Sequence, residues 1–286
     1  MPDLLPVLAL KVEKTMSYAA LMVHVDATPG SAKRTRLAVE LAARFHSALI
    51  GIAGRSYLPS FLADTAAGQQ NDGERQEMTK ILAGIEKKFR AAAGQVKDVE
   101  WRGAFEYTNK LVPLEARAAD LVVVGRREHP GDLYFALDPG MTILHAGRPV
   151  LVVPENIDSL SARRVVVAWK DTRESRRAVR DALPFLRDAD QVMIVEISEH
   201  GTEAQSQKRL DDVAEYLVHH KVVVAAKAYL HTEQPAAREI LRFAKDERAD
   251  LVVAGGYGHI RLSEWIFGGV TRDLLAESPI CCMLSH

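Results

Sequence analysis

The sequence lacks the marks of several common protein classes. It has only two cysteines, the adjacent Cys281 and Cys282, and neighbours in a strand point to opposite faces, so no structural disulfide is expected between them. Neither a CxxC pair nor a Cys/His ligand spacing occurs, so no metal site is predicted. No apolar run approaches the ~20 residues that span a bilayer, and the net charge of -1 argues against a general nucleic-acid binder. These absences favour a cytoplasmic protein.

The chain instead repeats itself, and its 286 residues suit two domains. The segment ARAADLVVVG, which ends at Gly125, returns 130 residues later as DERADLVVAG, which ends at Gly255. Near the start of each copy a β-branched run leads to Asp26 and, 144 residues later, to Lys170. Such spacings indicate an internal duplication. The extra residues of the first copy are assigned to a long polar loop over 57–73, with a lid as one role for it.

Short β-branched runs alternate with helical periodicity in both copies. Apolar residues such as Leu37, Leu41 and Phe45 mark one helix, and Pro184 is expected to kink or end another. Continuous apolar strands between helices are typical of a parallel sheet that is covered on both faces. We therefore predict an α/β fold of two tandem five-stranded parallel-sheet domains, at 18–154 and 162–286, after an N-terminal extension over 1–17. The strand runs are 121–124, 150–153, 192–195, 222–226 and 251–254.

A glycine-rich segment follows the run at 251–254. Gly255 and Gly258 stand where a buried strand ends, and Gly268 and Gly269 open the final predicted helix. Ligands of open parallel sheets bind outside the carboxyl ends of the strands, where glycines let backbone N–H groups approach anionic oxygens. The segment predicts a phosphate-binding loop, and a structural turn without a ligand is the alternative.

The spacing of these glycines resembles that of the universal stress proteins, which carry G-x-x-G, nine residues and then Gly-Ser/Thr after the fourth strand. The resemblance covers nearly the whole chain and is to tandem-domain members, whose fold is Rossmann-like, of the adenine-nucleotide alpha hydrolase type. It implies ATP or a related adenine nucleotide as the cofactor of the second copy, with Mg²⁺ as a further candidate. The residues implied to bind it are Ala168, Trp169, Lys170, Ala254, Gly255, Gly258, His259, Arg261, Gly268, Gly269, Val270 and Thr271.

Two residues of the second copy depart from the family pattern. Gly269 stands at the Ser/Thr position. Lys170 stands where the family has an Asp that helps to hold the nucleoside, and a lysine cannot accept hydrogen bonds from a ribose, although it can attract a phosphate. Trp169 either lines the nucleoside pocket or packs in the core. His259 and Arg261 either reach phosphates or are ordinary loop residues.

The first copy departs from the pattern in a different way. Glu128 and Asp138 stand at the positions of Gly258 and Gly268, and Pro139, which has no N–H, stands at that of Gly269. Two unit charges ~4 Å apart repel by about 4 kcal/mol at an effective dielectric constant of ~20. The first copy is therefore not expected to bind a triphosphate as the family does.

The resemblance implies a protein that binds ATP in its C-terminal domain and acts in the stress response through nucleotide-dependent interaction. The alternative is a stress-response scaffold that binds a protein or a hydrophobic small ligand without a nucleotide. Neither a GxSxG elbow nor a Walker A lysine is present, so no catalytic residue is named, and slow ATP hydrolysis is left open.

Members of this family usually dimerise by pairing their last strands. The corresponding strands here, 148–153 and 279–284, are expected to be antiparallel neighbours within one chain, which covers two exposed sheet edges. The chain would then form an intramolecular pseudo-dimer, and a further homodimer is left open.

Overall fold

The two halves of the chain form one continuous ten-stranded sheet. A computed structural model describes residues 17–56, 72–126, 136–197, 203–230, 234–258 and 269–286. The strands are β1 (Ala20–His24), β2 (Ala48–Gly54), β3 (Val99–Ala104), β4 (Leu121–Gly125), β5 (Val150–Val153), β6 (Arg164–Trp169), β7 (Gln191–Ile197), β8 (Val224–Leu230), β9 (Leu251–Gly255) and β10 (Cys281–Ser285). Their order is β3-β2-β1-β4-β5-β10-β9-β6-β7-β8, so each half contributes five parallel strands in the same relative order.

Helices cover both faces of the sheet, as predicted. Two hydrophobic clusters form the core, one on each face of the sheet. The face that carries the odd-numbered residues of β1 packs against the first, second, fifth, sixth and seventh helices of the chain. The opposite face packs against the third, fourth, eighth and ninth helices. The helices are α1 (Pro29–Phe45), α2 (Asp72–Ala92), α3 (Thr108–Glu115), α4 (Pro139–His145), α5 (Arg173–Asp181), α6 (Leu183–Asp188), α7 (Glu203–His219), α8 (Ala236–Asp246) and α9 (Gly269–Glu277). None of those described is long and apolar enough to cross a bilayer.

The register of the strands supports the duplication. Leu21 of β1 lies opposite Leu121 of β4, and the residues at the corresponding places in the second half, Val165 and Leu251, lie opposite each other too. The central pairing is also confirmed: β10 is antiparallel to β5, with Met283 opposite Leu151. Each of these strands therefore covers an edge that the other half would otherwise expose.

Two local predictions have different outcomes. Pro184 does end a helix, since α5 stops at Asp181 and α6 begins at Leu183. The strand predicted over 222–226 is wrong in its bounds, because β8 begins at Val224 and runs to Leu230. Val222 belongs to the turn after α7, where its N–H donates to the Leu217 carbonyl at 3.1 Å. The loop predicted over 57–73 lies outside the described residues except at its end, where α2 begins.

The two cysteines lie on opposite faces of β10 and are free and buried, as the alternation of a strand requires. Burial raises the pKa of the Cys282 thiol to about 11 and raises that of Cys281 as well. We expect both thiols to react with a disulfide reagent at pH 7.5 about 100-fold more slowly in the native protein than in urea. Labelling followed by mass spectrometry checks this, and equal rates in the two conditions would contradict the buried placement.

Candidate functional site

The carboxyl edge of β6 and β9 brings two groups of predicted residues together. These strands are neighbours, and Ala168 lies opposite Ala254 in their register. Gly255 therefore ends β9 close to Trp169, the last residue of β6. Lys170, the next residue, is exposed to solvent, and its backbone carbonyl accepts a hydrogen bond from the Thr172 N–H at 2.7 Å. This edge is where an open parallel sheet offers a ligand site.

The start of α5 packs directly against the glycine segment. A Cβ atom at Gly255 would lie 2.6 Å from the Ser175 backbone nitrogen, so only glycine fits between the strand end and the helix. At Gly258, a Cβ atom would lie 3.0 Å from the Glu174 Oε2 atom and 3.5 Å from the Thr172 hydroxyl. The backbone of Gly258 is thus lined by two oxygen-bearing side chains of α5 and its cap.

Glu174 is a buried anion at this place. Its side chain is 3% exposed, and its partner Arg173 is 80% exposed. Burial acts to raise the pKa of the Glu174 carboxyl, but hydrogen bonds from Arg173, from its own backbone N–H and from Thr172 outweigh burial, so the pKa is lowered. The carboxylate is therefore ionised at neutral pH and faces the glycine segment.

Trp169 packs in the core, the second of the two roles left open for it. Its ring belongs to the hydrophobic cluster beneath α5 and α7, and no described group bonds its indole Nε1–H, which is buried. At the corresponding position of the first half, directly after β1, the smaller Val25 lines a cleft of about 340 Å³ between α1 and α2. The indole N–H is therefore a buried donor without a hydrogen-bond partner among the described residues.

Of the remaining predicted residues, some are exposed at the surface, Thr271 is buried, and the others lie outside the described residues. Gly269 and Val270 open α9 and are exposed, whereas Thr271 is buried and its hydroxyl accepts a hydrogen bond from the Tyr257 N–H at 3.1 Å. The Thr271 hydroxyl therefore stabilises the glycine segment through this hydrogen bond. His259, Arg261 and Gly268 lie outside the described residues.

Tyr257 carries the glycine segment of the second half onto the first half. This residue has a φ of 57°, in the left-handed region, and its ring is 5% exposed. Its hydroxyl lies so close to Gly140 of α4 that no side chain fits there, and a Cβ atom at Gly256 would lie 2.7 Å from Ile143 of the same helix. Burial, with the Asp138 charge adding to it, raises the pKa of Tyr257 to about 12.

The corresponding edge of the first half is closed by its own side chains. The Asp138 carboxylate caps α4 and accepts hydrogen bonds from the N–H groups of Gly140 and Met141, at 2.8 and 3.2 Å. These are donors that a phosphate would otherwise use. Asp138 therefore supports the expectation that this half does not bind a triphosphate.

Asp26 is likewise engaged within the first half. Its carboxylate accepts hydrogen bonds from Arg34 at 2.9 Å and from the Thr28 N–H at 2.8 Å, and lies 3.5 Å from the His24 Nδ1 atom. Although burial acts to raise the pKa of Asp26, the Arg34 charge, His24 and Thr28 together lower it to about 2. The Arg34 guanidinium, buried against Gly125, also donates to the His24 carbonyl at 2.8 Å.

Comparison with known proteins decides the family of the second half. Residues 161–286 match the model of the universal stress protein family. This half of the chain is a universal stress protein domain. Its five strands are β6 to β10, and the glycine segment after β9 lies where the family resemblance places the nucleotide loop. No curated protein matches the chain.

Solved structures extend the likeness to both halves. A universal stress protein from Archaeoglobus fulgidus DSM 4304 superposes with a TM-score of 0.71 at 15% identity, over 93% of this chain and 96% of its own. A protein of unknown function from Pseudomonas aeruginosa PAO1 gives a TM-score of 0.55 at 12% identity, over 93% of this chain and 92% of its own. At such identities the likeness shows the fold: the first half has the architecture of the universal stress protein domain that follows it.

Sequence reasoning missed three residues of these sites. Glu174 corresponds to Gly30 of the first half, and an acid two residues after the capping Thr172 was a signal in the sequence. Arg34 lies on the apolar face of α1, four residues before Ala38. A charged residue at such a position indicates a buried cation with an anionic partner, which is here Asp26. Tyr257 carried no signal, because its contacts are with the other half. The described residues contain no cluster that could hold a metal ion.

Proposed function

We propose that the universal stress protein domain at 161–286 binds an adenine nucleotide or nucleoside at the carboxyl edge of β6 and β9, and acts in the stress response through ligand-dependent interaction. The observation that carries this proposal is the close packing of Gly255 and Gly258 on the start of α5, which leaves bare backbone beside hydrogen-bonding side chains. Glycines serve this purpose where a ligand must approach the main chain.

The residues at this edge fit the chemistry of a nucleoside. The Glu174 carboxylate supplies the hydrogen-bond acceptor that Lys170 cannot, since ribose hydroxyls and the adenine amine are donors. Lys170 is exposed at the mouth of the edge, where it can pair with a phosphate that extends into solvent. ATP is one member of this ligand class.

A titration of the full-length chain with adenosine, AMP and ATP tests the proposal. We expect binding to the native chain and a loss of affinity of about tenfold or more in Gly258→Glu, because the new side chain fills the bare backbone and adds a charge. Gly258→Glu also reproduces the residue that stands at the corresponding place in the first half, Glu128.

The matched control is Gly84→Glu, at a helical glycine of α2 whose Cβ would meet nothing within 4 Å. This variant should bind as the native chain does. If none of the three ligands binds the native chain at millimolar concentration, the proposed site is wrong. It is also wrong if Gly258→Glu binds them with the same affinity as the native chain. Isothermal titration calorimetry measures all three proteins under one condition.

A further inference from the structure

The side chain of Glu174 lies directly beside the Gly258 backbone of the glycine segment. Its Oε2 atom would be 3.0 Å from a Cβ at Gly258, and its side chain is 3% exposed. A phosphate drawn to the Gly258 backbone would therefore meet a carboxylate from which water is largely excluded. Like charges at such a distance repel more strongly than they do in solvent, because bulk water does not screen them.

Two backbone donors at the start of α5 are already in use. The Ser175 N–H donates to the Thr172 hydroxyl at 3.3 Å, and the backbone N–H of Glu174 bonds its own carboxylate. A helix start attracts phosphate through its free N–H groups and its dipole. An acidic side chain in the first turn accepts from those N–H groups and already interacts with the dipole, so the attraction for a phosphate is weaker. The cationic partner of Glu174, Arg173, is 80% exposed, so solvent weakens the compensation of the buried charge.

In the first half, different residues also place acidic side chains near the starts of helices. Gly30 stands at the position that corresponds to Glu174, and the space beside it holds the side chain of Glu155, whose Cγ atom would lie 2.9 Å from a Cβ there. Asp138 caps α4 with its carboxylate. Each half thus places an acidic side chain against the start of the helix that follows its first strand, which a polyphosphate site would not do.

We propose that Glu174 makes the second-half site select adenine ligands with little phosphate charge, adenosine and AMP, over ATP. The carboxylate accepts hydrogen bonds from a neutral nucleoside and repels a polyphosphate at the same position. Glu174 is thus a residue that determines specificity. This inference rests on the proposed function, since it names the ligand class of that same site.

The test compares the affinities for adenosine and ATP in the native chain and in Glu174→Gln, at fixed Mg²⁺ and salt. We expect the native chain to prefer adenosine. In Glu174→Gln, which keeps the shape and removes the charge, the affinity for ATP relative to adenosine should rise about tenfold. Because both ligands are measured on one variant, a merely structural effect of the substitution would change both affinities and leave their ratio unaltered.

Asp171→Asn is the matched control, because Asp171 precedes the same helix but its side chain is 56% exposed. Its removal should change the ratio by no more than about twofold, since solvent screens an exposed charge. A native chain that prefers ATP, or an unchanged ratio in Glu174→Gln while adenine ligands still bind, overturns the selectivity and leaves the proposed function standing. Absence of binding by both ligands in both proteins overturns the two proposals together.

Discussion

Replacing Arg34 by methionine is expected to lower the free energy of unfolding by about 3 kcal/mol, because it leaves buried acceptors without their donor. The guanidinium is 4% exposed, and it bonds both the Asp26 carboxylate and the His24 carbonyl. Methionine replaces the apolar stem of arginine but not its guanidinium, so the loss of charge and hydrogen bonds is the main change. Urea unfolding at pH 7.5 measures the effect.

Arg36 on the same helix is the matched control. Its side chain is 61% exposed and its ion pair with Asp158 lies at the surface, so Arg36→Met should cost less than about 1 kcal/mol. Adding Asp26→Asn to Arg34→Met should recover about 1 kcal/mol, since the unpaired carboxylate is then gone. Equal losses in the two single variants would contradict the buried ion pair.

Acid should destabilise the protein before most carboxylates are protonated, because His24 is buried as a neutral ring. Burial, with the Arg34 charge adding to it and Asp26 opposing, lowers the pKa of His24 to about 4. An unfolded histidine has a pKa of about 6.5, so between these values the unfolded chain binds a proton that the folded chain does not. Stability therefore falls by about 3 kcal/mol as the pH drops from about 6.5 to about 4.

Asp26 extends this loss to lower pH. Its pKa is about 2 in the folded protein and about 3.9 when unfolded, so its contribution is complete above pH ~4 and disappears as the pH falls through 2. Unfolding in urea at a series of pH values tests both groups. His24→Gln should remove the component between pH 6.5 and 4, and His219→Gln, whose ring is 69% exposed, should leave it unchanged. Parallel pH profiles for the native chain and His24→Gln would refute this account.

The sequence predicted the fold well because the fold depends on patterns that are local and repeated. The strand at Val150–Val153 has the predicted bounds, and the antiparallel partner of this strand was correctly expected in the other half. Where a parallel sheet is buried on both sides, apolar runs alternate along the chain with segments of helical periodicity, so the sequence pattern alone shows the strands and helices. The end of α7 was harder: Val222 is as apolar as a strand residue but lies in a turn.

The site was predicted less completely, for a physical reason. Gly255 and Gly258 could be proposed from the sequence, because a role of the backbone is visible as a spacing of glycines. Glu174, which faces Gly258, and Arg34, which lies against Gly125, were not named, because they act through contacts that folding creates. The carboxylate expected from the family is present in the first half as Asp26, but it forms an ion pair with Arg34. In the second half, Glu174 supplies a carboxylate from a different position in the sequence.

The pairing of β5 with β10 inside one chain has a consequence for how the two halves diverge. In a dimer of identical chains every substitution occurs twice, and the contact surface must fit its own copy. Here the Arg126 guanidinium bonds the Ser278 carbonyl on one side, while Tyr257 covers Gly140 on the other. Dilution cannot separate these partners, so each half is free to change its chemistry while the other maintains the shared interface.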